Sequence, residues 1–599
     1  MSGLADLLSN TWGLILVVVF FCGAIFFHEL GHFLAAKWRG LKIERFSIGF
    51  GPRLFGWKGK DGVDYRVSLL PLGGYVALPQ LADMRLIEGE SETPSDKLPP
   101  IGYWDKMIVA VAGPAFNVIL ATFLAIIVWI VGFPSSVQMQ SRTIGYVFPT
   151  LTIDEDVTVL GPAAQAGLKA GDEILEIDGK EVDNWSDITK YIVTGSGRDS
   201  LDNPEVILKI RRGDEIMDVN VSPELNEINA RSGKQIRAIG IYPGSPLPLG
   251  WINPNSPAEK AGLKVGDIVE TANGKRVYST PDLNDIIEPM GGKEVVLGIV
   301  RDGKTMDITV VPEVVPVTKA LLQLTESNSE SPAVWEFLPK YLDENAEETS
   351  LTAKANIVVF DAPISGKYHE MLPVGAVISK VNGQPVDSLE TLQAALAADQ
   401  GETTEIAFTR KGVEGVASLD GSFKEEIIPP TTRTLIGFSV DPGTVITYPN
   451  PVSQVRDQIE MTFLFIGSLL SPNSDVGINQ LSGPVGIGRV LHTFSLQDLR
   501  LAIWFSVLLN INLAILNLMP IPVLDGGHMT IATITRIIGK APPINVVGAI
   551  QGAVMLMLFG LMFYVMFNDS MDWLGDHEAE QNYLRDKEYQ IPVNFSGKQ

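Results

Sequence analysis

The chain has 599 residues, more than one core accommodates, so three to five folded units are expected. A formal charge of −24 without any basic cluster excludes nucleic acid as a partner. Cys22 is the only cysteine, which excludes an intrachain disulfide and leaves the soluble part to its own cores.

Trp12–Ala36 is the first of four apolar stretches near or above the roughly 20 residues that cross a hydrocarbon core. It lacks a basic leader and a small-residue exit, so it is expected to be retained rather than cleaved. Its second half holds His28-Glu29-Leu30-Gly31-His32. Charged and metal-binding side chains cost about 2.5–3.5 kcal/mol each at mid-bilayer and persist there for function. On a helix, positions i and i+4 share one face, so both histidines reach one zinc ion. Glu29 is then placed to act on water at the metal.

Residues 38–106 form a loop carrying Lys42, Arg45, Arg53, Lys58, Lys60 and Arg66, which the positive-inside rule puts in the cytoplasm. Within it, 65–78 reads as strand, glycine turn at Gly73-Gly74, and strand: a membrane-associated hairpin. Residues 79–100 read as an acidic linker. Met107–Phe133 is the second span (107–137 with its flank). Its Asn117 is an uncharged donor, read either as holding substrate or as a helix–helix hydrogen bond.

Three stretches then align without gaps: Gly171–Gly179, Gly266–Gly274 and Gly375–Gly383. Each is a short alternating strand ending in Asp-Gly or Asn-Gly, followed by an amphipathic helix. Pro162–Lys169 and Pro257–Lys264 share Pro-Ala-x-x-Ala-Gly-Leu-Lys. The copies resemble PDZ domains, which take an extended peptide as an added strand. Their expected bounds are 138–230, 231–320 and, in degenerate form, 353–440, with an acidic linker at 321–352 and an amphipathic segment at 441–500.

Leu501–Leu524 is the third span, in a region 501–540 that includes Leu524-Asp525-Gly526-Gly527. Ala541–Asn568 is the fourth, and 569–599 is a tail. Arg536 and Lys540 place the loop between the last two spans in the cytoplasm, so the roughly 360 residues from Gln138 to Asp498 and both termini lie outside. A hydrolytic zinc site needs a third ligand and an open position. Asp525 is the candidate, because Pro520 and Pro522 break the helix and let a carboxylate turn inward. Capping of the next helix is the alternative reading. His528 is read as structural.

His28–His32 in the first span, with Asn517-x-x-Pro520-x-Pro522-x-Leu524-Asp525-Gly526-Gly527 in a later one, resembles the site-2 protease family of intramembrane zinc metalloproteases, peptidase family M50. Ser47–Pro52, Leu70–Val76, Ala112–Asn117 and Leu481–Ile487 agree with it. The resemblance covers the whole chain and departs in the third repeat and the long acidic loop. It implies Zn2+ bound by His28, His32 and Asp525, with Glu29 as general base. It also implies substrate contacts from Asn117, Gly73, Gly74 and Asn517. The fold implied is a polytopic α-helical membrane protein with four transmembrane helices, a membrane-associated β-hairpin and periplasmic α+β PDZ-like domains in the bacterial inner membrane. Its substrates would be transmembrane segments of single-span proteins in the lipid bilayer. Examples are an anti-sigma factor pre-trimmed by a site-1-type protease, or signal-peptide remnants, with the repeats excluding bulky substrates. A membrane-tethered peptide-binding receptor with a structural metal is the rival reading. A transporter is disfavoured by the missing inverted repeat, and no Gly-x-Ser-x-Gly elbow occurs.

Overall fold

The computed structural model describes residues 2–80, 98–99, 101–154, 157–229, 234–324, 333–341, 354–361, 371–373, 375–398, 403–410, 413–423, 428–540 and 542–588. Most of the expected linkers at 79–100 and 321–352, and the last part of the tail, lie outside the described residues. The chain divides into two compact units, Met1–Ser135 with Thr444–Ser570, and Ser136–Gly443 with Met571–Gln599.

Among the described residues, the first unit holds four helices long and apolar enough to cross a membrane: Thr11–Trp38, Tyr103–Val131, Leu499–Leu518 and Asn545–Ser570. A helix satisfies its own backbone, which hydrocarbon requires. Leu14, Val18, Phe123, Ile130, Leu556 and Phe563 point outward and exposed, a surface that water disfavours and lipid solvates. The chain is a polytopic integral membrane protein.

The third of these helices stops earlier than expected, at Leu518 rather than Leu524. The residue before a proline is pushed out of the helical region, and Met519, preceding Pro520, is extended at φ −64°, ψ 147°. Asp525 therefore opens a separate helix, Asp525–Ile538, instead of ending the span. The segment expected to be amphipathic at 441–500 contains two helices, Pro451–Leu470 and Pro484–Gln497.

The strand segments between the first two spans also differ from expectation. Residues 45–48 pair with Ala77–Gly74 on one side and with Asp64–Val67 on the other, while 53–58 pairs back onto 64–68. The two arms at 64–69 and 73–77 are thus separated by another strand and do not form a hairpin with each other. Gly73-Gly74 lies within a strand, not at a turn.

In the second unit the three aligned stretches become equivalent strands, Glu173–Ile177, Ile268–Ala272 and Val377–Val381. Each ends in two residues of positive φ: Asp178-Gly179 (48°, 75°), Asn273-Gly274 (50°, 77°) and Asn382-Gly383 (47°, 78°). Asn, Asp and Gly tolerate that region, so the tight turn selects them. The following helices, Trp185–Val193, Thr280–Ile287 and Leu389–Ala397, begin at Asn184, Ser279 and Ser388, whose side chains accept the N3 amide. Each repeat has its own core, around Ile210, Ile299 and Leu419 respectively. The first two are joined by Tyr146, whose hydroxyl donates to Asp285 at 2.7 Å. Burial and that bond push the phenol up to about 12.

The third repeat does not follow the second in tandem. In the first repeat Glu224–Asn229 pairs with Lys234–Ala238, and the chain then returns through Ile241–Pro243 beside Ile144–Val147. In the second, Glu313–Leu324 pairs with Ile428–Leu435, and Phe438–Val440 returns beside Leu247–Ile252. The third repeat occupies the tip of that second hairpin. Residues 438–440, expected in the third repeat, belong to the second. The third repeat's strands close into a ring: the strand starting at Glu313 pairs with Ala333–Tyr341 at one end of the series and with Val413–Phe423 at the other.

Candidate metal centre between the spanning helices

His28 and His32 lie in the first spanning helix and Asp525 in the first turn of the Asp525–Ile538 helix. All three are buried, as is Glu29. The His28 Nε2 and His32 Nε2 atoms are 3.2 Å apart. Asp525 presents Oδ2 to His28 Nε2 at 3.3 Å and Oδ1 to His32 Nε2 at 3.4 Å. Ligands about 2.0–2.1 Å from a tetrahedral zinc stand roughly 3.3–3.4 Å from each other. Each carboxylate oxygen faces one imidazole at that spacing, and one ligand atom from each residue lies within 4.8 Å of the other two, so the cluster suits such an ion. Among the described residues, no other group of three such side chains comes as close together. His528 is not part of it.

The fit depends on close backbone approach from three sides. A Cβ at Gly31 would stand 2.2 Å from the Ala112 carbonyl oxygen, so the first two spanning helices touch where the histidines emerge. Gly526 and Gly527 leave no room either: a Cβ would meet the Leu518 oxygen at 2.2 Å or the Ile521 oxygen at 2.1 Å. The Pro-x-Pro segment therefore curls over the start of the Asp525 helix and aims its first residue inward. Gln551, in the last spanning helix, donates to the Pro522 carbonyl at 3.1 Å and holds that curl. Nothing local in the sequence marks Gln551; a buried amide in an apolar span was its only signal.

The sequence-derived substrate candidates separate. Gly74 packs on the catalytic candidate itself: a Cβ there would stand 2.8 Å from Glu29 Cγ and 2.9 Å from the Ser47 carbonyl oxygen. Its neighbour Gly73 is half-buried in the same strand. Asn117 is wholly buried, with Nδ2 3.5 Å from His28 Nδ1. Asn517 is half-buried one residue before its helix ends, and among the described residues no hydrogen bond joins it to the cluster. His32 is steadied from behind, its Nδ1 2.8 Å from the Val109 carbonyl oxygen.

A sequence model of peptidase family M50 matches residues 16–561. Similar proteins include a regulator of sigma E protease from Haemophilus influenzae, 26% identical over 94% of this chain and 99% of that one. The Escherichia coli regulator of sigma-E protease is 24% identical, with 94% and 99% covered. A Vibrio cholerae protein described as a zinc metalloprotease is 25% identical over 93% and 98%.

Proposed function

The chain belongs to peptidase family M50 and is a zinc metalloprotease, and from that premise we propose that it hydrolyses peptide bonds inside the membrane-spanning segments of single-span proteins. The observation that carries this reading is the His28–His32–Asp525 triangle, spaced for zinc and buried where the first spanning helix meets the Asp525 helix. A zinc ion held by these three would supply a Lewis acid for the scissile carbonyl and acidify the attacking water.

Glu29 accepts the attacking water's proton on its carboxylate and passes it to the nitrogen of the leaving amide. Its burial beside the ligands keeps that proton from bulk solvent. A substrate helix hides its carbonyls in i→i−4 bonds and must unwind first. The 73–77 strand passes directly over Glu29, so a segment added along it would hold an extended carbonyl at the reacting atoms. The basic loop residues support an orientation with the site toward the cytoplasm and the PDZ-like repeats in the periplasm of the inner membrane. There the repeats would refuse substrates with bulky outer domains until a first protease has trimmed them. The relatives' name favours an anti-sigma factor as one such substrate.

Glu29→Gln keeps the side chain's shape and removes its basicity. The variant should retain one zinc per chain and lose cleavage of a reconstituted reporter span by about 10²–10⁴-fold. Cleavage at the wild-type rate overturns the reading. A receptor with a structural metal would bind zinc without turnover, and the carboxylate buried beside the ligands favours catalysis over it.

A further inference from the structure

The two imidazoles are supported from behind in different ways. His32 Nδ1 lies against a backbone carbonyl, which only accepts, so that nitrogen carries the proton and Nε2 offers its lone pair to the cluster. His28 Nδ1 instead faces the Asn117 carboxamide, with Nδ2 as the nearer atom at 3.5 Å. Asn117 is wholly buried, and its Oδ1 has no hydrogen-bond partner.

That arrangement suits His28 only while its Nδ1 is bare. An imidazole that gives its Nε2 lone pair to a metal carries its proton on Nδ1, and two N–H groups would then point at each other. A half-turn of the carboxamide about Cβ–Cγ exchanges Oδ1 and Nδ2 in nearly the same space. Oδ1 then accepts the Nδ1 proton. Among the described residues nothing donates to Oδ1 where it stands, so once Nδ1 is protonated the turn gives up no hydrogen bond.

We propose that Asn117 is the positioning residue for His28: its amide oxygen accepts the Nδ1 proton and so holds His28 in the tautomer and ring orientation that present Nε2 to zinc. This rests on reading His28 as a zinc ligand. It gives Asn117 a role different from holding substrate, and pairs it with the Val109 carbonyl as the second of two supports, one per histidine. A side-chain support can be replaced by mutation, whereas the Val109 carbonyl cannot.

The test uses the full-length chain in detergent, with zinc affinity measured by chelator competition and cobalt absorption spectra recorded for the ligand field. Asn117→Leu, similar in volume but unable to accept, should weaken zinc by about 10–100-fold and perturb the cobalt bands. Asn117→Asp, which keeps an acceptor, should restore affinity to within a few-fold of wild type. A leucine variant that binds zinc as tightly as wild type overturns the proposal. So does an aspartate variant as weak as the leucine one, because acceptance of a proton would then not be what matters. His28→Ala separates the two levels. If it loses zinc while Asn117→Leu does not, only the positioning role fails. If it binds zinc normally, the ligand assignment itself falls.

Discussion

Gly113 lies against His32 so closely that a Cβ would stand 2.3 Å from Nε2, the atom aimed at the cluster, and 2.9 Å from His28 Cε1. The second spanning helix thus forms the floor of the site with bare backbone. Gly113→Ala should drive both imidazoles out of the triangle and lower zinc affinity by about 10–100-fold, read by metal analysis of the purified protein. A fully zinc-loaded alanine variant would show that the rings have room to retreat.

Gly74 tests the roof in the same way. Its Cβ would press on Glu29 and not on a metal ligand, so Gly74→Ala should leave zinc content unchanged and slow turnover by about 10²-fold, the scale of a misplaced catalytic group. Loss of zinc together with activity would mean the strand supports the ligands instead.

Asp569, buried near the end of the last spanning helix, accepts the amides of Gly483 and Gly486 at 2.8 and 2.9 Å. These amides open the Pro484–Gln497 helix, whose first N–H groups have no partner of their own. Asp569→Ala should destabilise this packing by about 3 kcal/mol, measured by denaturant titration, while Asp569→Asn keeps an acceptor and loses less. Equal losses from both would point to charge, not hydrogen bonding, as the main term.

The Tyr146–Asp285 bond makes the joint between the first two repeats sensitive to alkaline pH. The phenol is held protonated up to about 12 in the folded state, above its ordinary 10.0. Its contribution is therefore complete below about pH 10 and is lost as pH rises toward 12, because only the unfolded chain ionises across that window. Thermal unfolding at stepped pH should show the decline in wild type and its flattening in Tyr146→Phe. An unchanged profile in the variant would assign the decline to other groups.

The members of the His28–His32–Asp525 cluster are legible because their signals are local: His28 and His32 share one helical turn, and an aspartate beside two glycines stands out in an apolar run. The glycines were legible as present but not as to purpose. Gly73-Gly74 reads identically whether it makes a turn or lets a strand pass over Glu29, and only the tertiary fold chooses. Hydropathy carries the third span six residues too far because it continues through Met519–Leu524, while the extended residue before Pro520 is a backbone constraint. The altered boundary of the second repeat did have a signal. Ile239-Gly240-Ile241 and Ile436-Gly437-Phe438 are matching entries to the closing strands Ile241–Pro243 and Phe438–Val440, and the second follows the third repeat instead of preceding it.

The placement of that extra repeat bears on how such a chain could have been assembled. Everything between Leu324 and Ile428 enters and leaves through the end of one paired ribbon. Grafting a whole domain there, or excising it and rejoining the ribbon with a short turn, leaves every other strand of the host in register. The repeat and its host are thus separable by a single cut across that ribbon.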